Sequence, residues 1–380
     1  MRKLFFLTFL ISLISLSFVY AQNVERVLTI DECIRLASNI NHDILINKES
    51  VLLAEQRAKE AKALYFPTLD FNLNVSRFSN DVYTAINSHA LPAVILLPEG
   101  SRDYFYSARF SLWYNLYNGG RTSATNKLAK IHYEKAQNNS DINKNEVMGN
   151  VRINFYKNVA AKEKIEVYKK YLAKKSNPFL QNRLEMLQHD YELDILDFLS
   201  LIGLELDTAI ELDGKMETKK LDLNLQQCIL SAYQFRPEIK TTQYQETIDN
   251  ISVNLINMEK FPTIMIGASY DWIGDDTKQK EKDWYVSLNL NWPIFEGGAM
   301  FSRLKQKKIK ARKSAIERSQ IEEKIKLEVR KAFNEYQFWY DKVLKIKDDA
   351  YTLEQEILNI DIKYNYIKSL IELELAIGRQ

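Results

Sequence analysis

The sequence predicts a membrane α+β protein. One chain contributes four strands to a barrel that it cannot close alone, and two very long helices project from that barrel. Three observations predict this. Segments that alternate apolar and polar residues come in two pairs, each about ten residues long, the length a tilted membrane-spanning strand needs. Each pair runs through a Gly-Gly step into a charged, helix-favouring stretch almost free of Gly and Pro. The arrangement is written twice within 380 residues.

Residues 1–21 have the parts of a secretory signal. Arg2 and Lys3 form a positive start, Leu4–Val19 is almost wholly apolar, and Val19-Tyr20-Ala21 offers a cleavage position. The alternative is a transmembrane anchor, but the apolar core is short and no basic stop-transfer follows. No Cys follows the cleavage position, so the lipoprotein route has no support. The mature chain then begins near Gln22. Removing two of the 52 Lys and Arg leaves them balanced against 50 Asp and Glu. A neutral chain lacks the basic face of a nucleic-acid binder. Seven Pro and 11 Gly are too few for the turns of a sandwich. No later run reaches the ~18 apolar residues of a membrane-spanning helix, so entry into a membrane must be by strands.

Thr29–Ile44 matches Asn224–Ile239 at an offset of 195 (33 to 228), which also carries Phe66-Pro67-Thr68 onto Phe261-Pro262-Thr263. Beyond the strands the offset falls to 178 (119 to 297), and Val147, Val151 and Phe155 map onto Ile325, Val329 and Phe333. The chain therefore divides into a signal, a first structural repeat over 22–214 and a second over 215–380 with a shortened hairpin.

Each copy opens with a short helix (Asp31–Ser38; Leu225–Tyr233) and a longer one (Asn47–Tyr65; Thr241–Lys260). Pro67 and Pro262 end the longer helices, because Pro cannot continue a helix and pushes its predecessor out of the α region. A strand follows, with Leu69, Phe71, Leu73 and Val75 on one face of the first, and Ile264, Ile266, Ala268, Tyr270 and Trp272 on one face of the second. Polar connections at Phe78–Arg102 and Ile273–Lys282 lead to the second strands, within Asp103–Arg121 and Trp284–Gly298. In Asp103–Arg121, Tyr104, Tyr106, Ala108, Phe110, Leu112, Tyr114 and Leu116 alternate with Ser107, Arg109, Ser111 and Asn115. An ordinary half-buried sheet would alternate in the same way. Strand length, the signal, and Tyr104, Trp113, Trp272, Trp284 and Trp292 as an interfacial aromatic girdle favour a membrane barrel. The smallest such barrels need about eight strands, so two copies would supply 8 and three would supply 12.

Gly119-Gly120 and Gly297-Gly298 mark the passage from strand to long helix, Arg121 to about Ser176 and Ala299 to about Thr352. At 1.5 Å per residue each would extend roughly 80 Å, with one apolar stripe at three- and four-residue spacing. Asn177-Pro178 interrupts the first, and return helices are expected at Leu193–Leu212 and Ile357–Ile377.

These motifs resemble the TolC-like outer-membrane efflux proteins. Ala37…Asn39…Asp43-Ile44 and Arg236-Pro237-Glu238-Ile239 resemble the family's N-terminal signature and its repeat. Phe66-Pro67-Thr68 and Phe261-Pro262-Thr263 resemble its helix-to-strand junction. Leu116–Arg121 (LYNGGR) and Pro293–Gly298 (PIFEGG) resemble its strand-to-helix junction. The resemblance spans nearly the whole mature chain. It implies a homotrimer in the outer membrane of a Gram-negative bacterium, with a 12-stranded barrel continued by a periplasmic α-helical barrel. A periplasmic adaptor and an inner-membrane pump would dock at the far end. Such proteins are passive ducts for drugs, metals or secreted polypeptides, with no catalytic site and no cofactor. The family's hairpin-tip motif is incomplete at Tyr191–Asp197 and missing around Asp348-Asp349-Ala350, and the second hairpin is about 14 residues shorter (155 to 214 against 333 to 378).

His42, His89, His132 and His189 are isolated and make no metal pattern, and the Gly pairs do not extend to a phosphate loop. Cys33 and Cys228 could bridge in an oxidising compartment, although buried free thiols on related helices fit their equivalent positions better. Asp190, Asp194 and Asp197 are candidates for a cation-favouring ring at the periplasmic tip; the alternative is an acidic start to the return helix. Asp70, Arg109 and Asp271 are expected to wet the lumen. Ala90–Pro98 is oddly apolar for a loop.

Overall fold

The computed structural model describes residues 26–77, 104–174, 176–218, 222, 224–276, 279–346 and 352–379. The expected signal, the connection at 78–102 with its apolar patch and His89, and Asp348–Ala350 lie outside them.

Helix, helix, strand, strand, helix, helix occurs twice in order. The first series is α1 (Ile30–Ile40), α2 (His42–Ala63), β2 (Thr68–Arg77), β3 (Tyr104–Tyr117), α3 (Arg121–Lys174) and α4 (Pro178–Ile202). It is preceded by a short strand, β1 (Arg26–Leu28), and followed by another, β4 (Ile210–Leu212). The second series is α5 (Leu225–Phe235), α6 (Pro237–Met258), β5 (Thr263–Asp276), β6 (Gln279–Asn291), α7 (Ala299–Val343) and α8 (Leu353–Ala376).

The local chemistry of the two series matches position by position. Thr29 caps α1 and Asn224 caps α5, each in a reciprocal capping box with the residue three further on, Glu32 and Gln227. Asn41 and Arg236 end these helices in extended backbone. Asn41 then accepts from the amides of Asp43 and Ile44 and so starts α2, while Pro237 takes the first position of α6. Phe66 donates its amide to the Ala63 carbonyl, and Phe261 to that of Met258, before each Pro turns the chain into a strand.

The described chain forms two compact units. The first takes the chain up to Val51, Ala136–Thr241 and the chain from Arg318; it holds two hydrophobic cores. In one, Leu28, Cys33, Ala37 and Ile44 pack with Val147, Val151 and Phe155 of α3 and with Phe198, Leu199 and Ile202 of α4. In the other, Cys228, Ala232 and Ile239 pack with Ile325, Val329 and Phe333 of α7 and with Tyr366, Ile367 and Ile371 of α8. Cys33 and Cys228 are free, buried and in different cores. Burial pushes the Cys33 thiol up to about 12.

The expected return helix at Leu193–Leu212 is corrected on both sides. Pro178 begins α4, with Asn177 capping it, and α3 ends at Lys174. Gly203 ends it in a left-handed conformation (φ 78°), and the amides of Gly203 and Leu204 close back onto Ser200 and Leu199. The chain then extends into β4, which pairs in parallel with β1 (Arg26 with Ile210, Leu28 with Leu212) and sets Leu28, Ile210 and Leu212 into the first core. Gly378 ends the second return helix as Gly203 ends the first, with φ 71° and 78° and the same closing bonds. The like-for-like spans from Phe333 and Phe155 are therefore 45 and 48 residues (378 − 333; 203 − 155), and the 14-residue difference is mostly the Leu204–Gly214 segment that follows Gly203.

The second unit, Leu52–Lys135 and Thr242–Glu317, contains a four-stranded antiparallel sheet in the order β2-β3-β5-β6. The connection expected at Ile273–Lys282 is instead mostly strand: β5 runs to Asp276 and β6 starts at Gln279. Cross-strand pairing carries polar residues into the ladder that alternation alone assigned to a loop.

Candidate functional site

The sheet is inside out for a water-soluble protein. Rows of residues directly opposite one another cross all four strands. One row is Phe71, Phe110, Tyr270 and Trp284, and the next is Leu69, Leu112, Ala268 and Val286. Most of this face is exposed: Leu69 by 69%, Leu73 by 65% and Trp284 by 69%. The opposite face carries Asp70, Ser111, Ser269 and Tyr285 in one row, and Asn72, Arg109, Asp271 and Asp283 in another. On this polar face Ser111, Ser269 and Asp271 are buried. Arg109 Nε donates to Asp271 Oδ1 across β3 and β5 at 2.6 Å, and the Ser269 hydroxyl donates to the other carboxylate oxygen.

Energetics decide what such a face is for. Burying one Leu, Val or Phe is worth about 1.5–3 kcal/mol, so leaving ten of them in water forfeits far more than the margin that keeps a domain folded. Soluble monomers rarely expose apolar patches beyond a few hundred Å². Hydrocarbon removes the penalty, and strands of 10 to 14 residues are long enough to cross it at a tilt. Among the described residues no helix is long and apolar enough to cross a membrane.

The aromatic residues divide. Trp284 and Trp272 stand on the apolar face, where Trp272 meets Phe110 and Tyr270 edge-on. Tyr104 is paired with Arg77 at the far end of β3. Trp292 lies beyond β6, exposed, with its indole N–H on the Lys260 carbonyl. Trp113 does not belong to a lipid-facing girdle: it shares the face of Ser111, and its ring lies over Gly267. Exposed aromatics that composition did not single out cluster at the helix end of the strands: Tyr65, Phe66, Tyr117, Phe261, Phe295 and Phe301. Their signal is position beside the Pro and Gly-Gly steps.

At the strand-to-helix step, Asn118 receives the Arg121 amide on its backbone carbonyl and the Thr122 amide on its side chain, which starts α3. Gly119 and Gly120 supply two successive left-handed residues there (φ 65° and 83°), and Gly297 and Gly298 repeat them (59° and 84°). Pro67 and Pro262 stand one residue before β2 and β5.

Asp190, Asp194 and Asp197 lie within α4, Asp190 roughly three turns beyond Pro178 and so well away from the hairpin turn. Asp194 accepts from Lys157 of α3 at 2.6 Å. Among the described residues no group of His, Cys, Asp and Glu is placed to hold a metal ion. In the second unit His132 is exposed on α3. Partial desolvation first, then Lys135, Arg57 and Lys310, hold its imidazole below the ordinary 6.5.

With this geometry in view, the outer membrane efflux protein family matches residues 33–179. The fold matches a membrane protein from Pseudomonas aeruginosa (TM-score 0.75, 14% identity, 92% of this chain and 93% of that one). It also matches the CmeC outer membrane channel of Campylobacter jejuni (0.65, 16%, 92% and 85%). A third match is the open state of the MtrE outer membrane channel of Neisseria gonorrhoeae (0.71, 15%, 92% and 89%). The outer membrane efflux family therefore matches part of the chain, and the fold over 92% of it is that of outer membrane channels. No curated protein sequence matches it. The matched family and the matched channels are of the outer membrane, which supports an outer-membrane location with a periplasmic extension, and the inside-out sheet is the part suited to lipid.

Proposed function

We propose that the chain is the channel subunit of a tripartite efflux or type I secretion assembly, a passive duct for small molecules or secreted substrates. The observation that carries this reading is the sheet that exposes Leu, Val, Phe and Trp outward and turns Ser, Asn, Arg and Asp the other way. Four strands cannot close, and three copies give the 12-stranded barrel that the family resemblance implies. In this reading each chain is a duplicated unit divided near Gly214, its long helices form the periplasmic barrel, and an adaptor and an inner-membrane pump engage their far ends. Equal caps, equal cores and equal element order in the two halves support the duplication. Asp190, Asp194 and Asp197 then serve the hairpin itself, Asp194 through Lys157, and are not a ring at its tip.

The test is conductance. The purified protein in planar bilayers is expected to give discrete channels, and a deletion strain to become more sensitive to toxic small molecules or to lose export of a secreted protein. A protein that forms heat-modifiable trimers in outer-membrane fractions but never conducts would be a scaffold, and the duct reading would fail.

A further inference from the structure

The β2–β3 and β5–β6 hairpins have the same register once the first strand is shifted by 195 and the second by 178. Thr68 opposite Trp113 becomes Thr263 opposite Asn291, and Leu69 opposite Leu112 becomes Ile264 opposite Leu290. Among the described strands there is one joint between consecutive hairpins, β3 against β5, and the equivalent joint is open at the outer edges of β6 and β2. All of β2 except Ser76 is exposed, including Asn74, whereas its counterpart on β5, Ser269, is buried against β3.

The strand-to-helix turns show the same asymmetry. A Cβ at Gly119 would lie 2.8 Å from the Phe261 Cβ and 3.0 Å from the Met258 carbonyl oxygen, so the first turn sits directly on the second helix-to-strand step. Among the described residues, a Cβ at Gly297 would meet nothing within 4 Å. Phe66, which stands where Phe261 does, is 70% exposed. Beside Gly298 a crevice of about 490 Å³ opens between Trp292, Phe295, Met300 and Phe301.

We propose that a second copy of this chain closes the open joint in the register that β3 and β5 already show, with β6 of one protomer antiparallel to β2 of the next. The proposal rests on the oligomeric-barrel reading and adds its residue-level seam. Shifting the internal pairs Tyr114–Ile266, Leu112–Ala268 and Phe110–Tyr270 sets Trp292 opposite Phe71, Leu290 opposite Leu73, and Leu288 opposite Val75. Shifting Trp113–Gly267, Ser111–Ser269 and Arg109–Asp271 sets Asn291 opposite Asn72, Asn289 opposite Asn74, and Ser287 opposite Ser76. Apolar meets apolar on the lipid side, and Asn meets Asn and Ser meets Ser on the other. A slip of one residue would set each against the wrong face. The seam ladder ends where its template does: the β3–β5 register shifts after Asn115, whose counterpart is Pro293, a residue without an amide hydrogen. Phe66 of the neighbour then seats on Gly297 at the mouth of the 490 Å³ crevice, as Phe261 seats on Gly119.

Paired cysteines in the full-length chain test this. Ser111→Cys with Ser269→Cys is the internal control and should oxidise within one chain, leaving a monomer on a denaturing gel. Asn289→Cys with Asn74→Cys occupies the equivalent seam position and should convert the monomer band to covalent dimers and trimers. Asn289→Cys with Asn72→Cys, slipped by two residues, should leave most of the monomer. Native mass spectrometry in detergent is run in parallel. Trimers that crosslink only at the slipped pair, or at neither seam pair while the control closes, overturn the register and leave the barrel standing. A monomer in native mass spectrometry overturns the barrel reading and the seam together.

Discussion

At the scale of single residues, His132 gives the second unit a pH dependence with a definite sign. Its imidazole, exposed on α3, is held below 6.5 by partial desolvation and by Lys135, Arg57 and Lys310, so the unfolded chain takes a proton before the folded one does and the effect on stability is small. Stability is therefore fully present above pH 6.5 and declines as pH falls through the folded value. Thermal midpoints in detergent should drop between pH 7 and pH 5, and His132→Gln should flatten that slope; an unchanged slope would assign the pH dependence to other groups. Asp194 tests a different idea. Its pair with Lys157 is partly exposed, the side chains being 23% and 46% accessible, and such pairs contribute less than about 1 kcal/mol. Asp194→Ala should cost no more than that and leave ion selectivity unchanged. A shifted reversal potential in that variant would return the α4 carboxylates to the conduction path.

At the scale of elements, the end of α4 is set by Gly203, whose left-handed backbone lets the chain leave the helix and reach β4. A Cβ there would also lie 3.0 Å from the Ile40 carbonyl oxygen. Gly203→Ala is expected to cost about 1–2 kcal/mol, read as a lower unfolding midpoint with faster amide exchange in β1 and β4. If exchange quickens only within α4, the glycine ends the helix without positioning the strand pair. What the sequence revealed of these elements follows from their length. Strand faces, Pro67, Pro262 and the two Gly pairs were legible because period-two alternation and backbone punctuation are local. β1 and β4 were not, since three residues carry no period and their pairing joins Arg26 to Ile210. Pro178 read as a break, although it starts α4, and the acidic run at Asp190–Asp197 then passed for a hairpin tip. Residue type also misled where parity was correct: Trp113 suggested a girdle, yet it shares a face with Ser111.

At the scale of the whole molecule, a buried ion pair of the sheet would become a property of the proposed duct. Arg109 and Asp271 neutralise each other on the polar face of β3 and β5, with side chains 19% and 8% exposed. Their counterparts at the proposed seam are Ser287 and Ser76, so the proposed trimer carries three such pairs and three neutral seam positions, with Asp283 beside Asp271 in each copy. Removing one partner of a buried pair leaves the other charge uncompensated. In the proposed trimer Arg109→Ala would therefore place a ring of three Asp271 carboxylates without their Arg109 partners in the lumen, and rings of this kind favour cations. The reversal potential in a salt gradient should move toward the cation limit in this variant. The double change Arg109→Ala with Asp271→Asn should bring it back, separating charge from loss of packing. A variant that folds and conducts with an unmoved reversal potential would show that this face does not line the path, and the polar side of the sheet would then need another occupant.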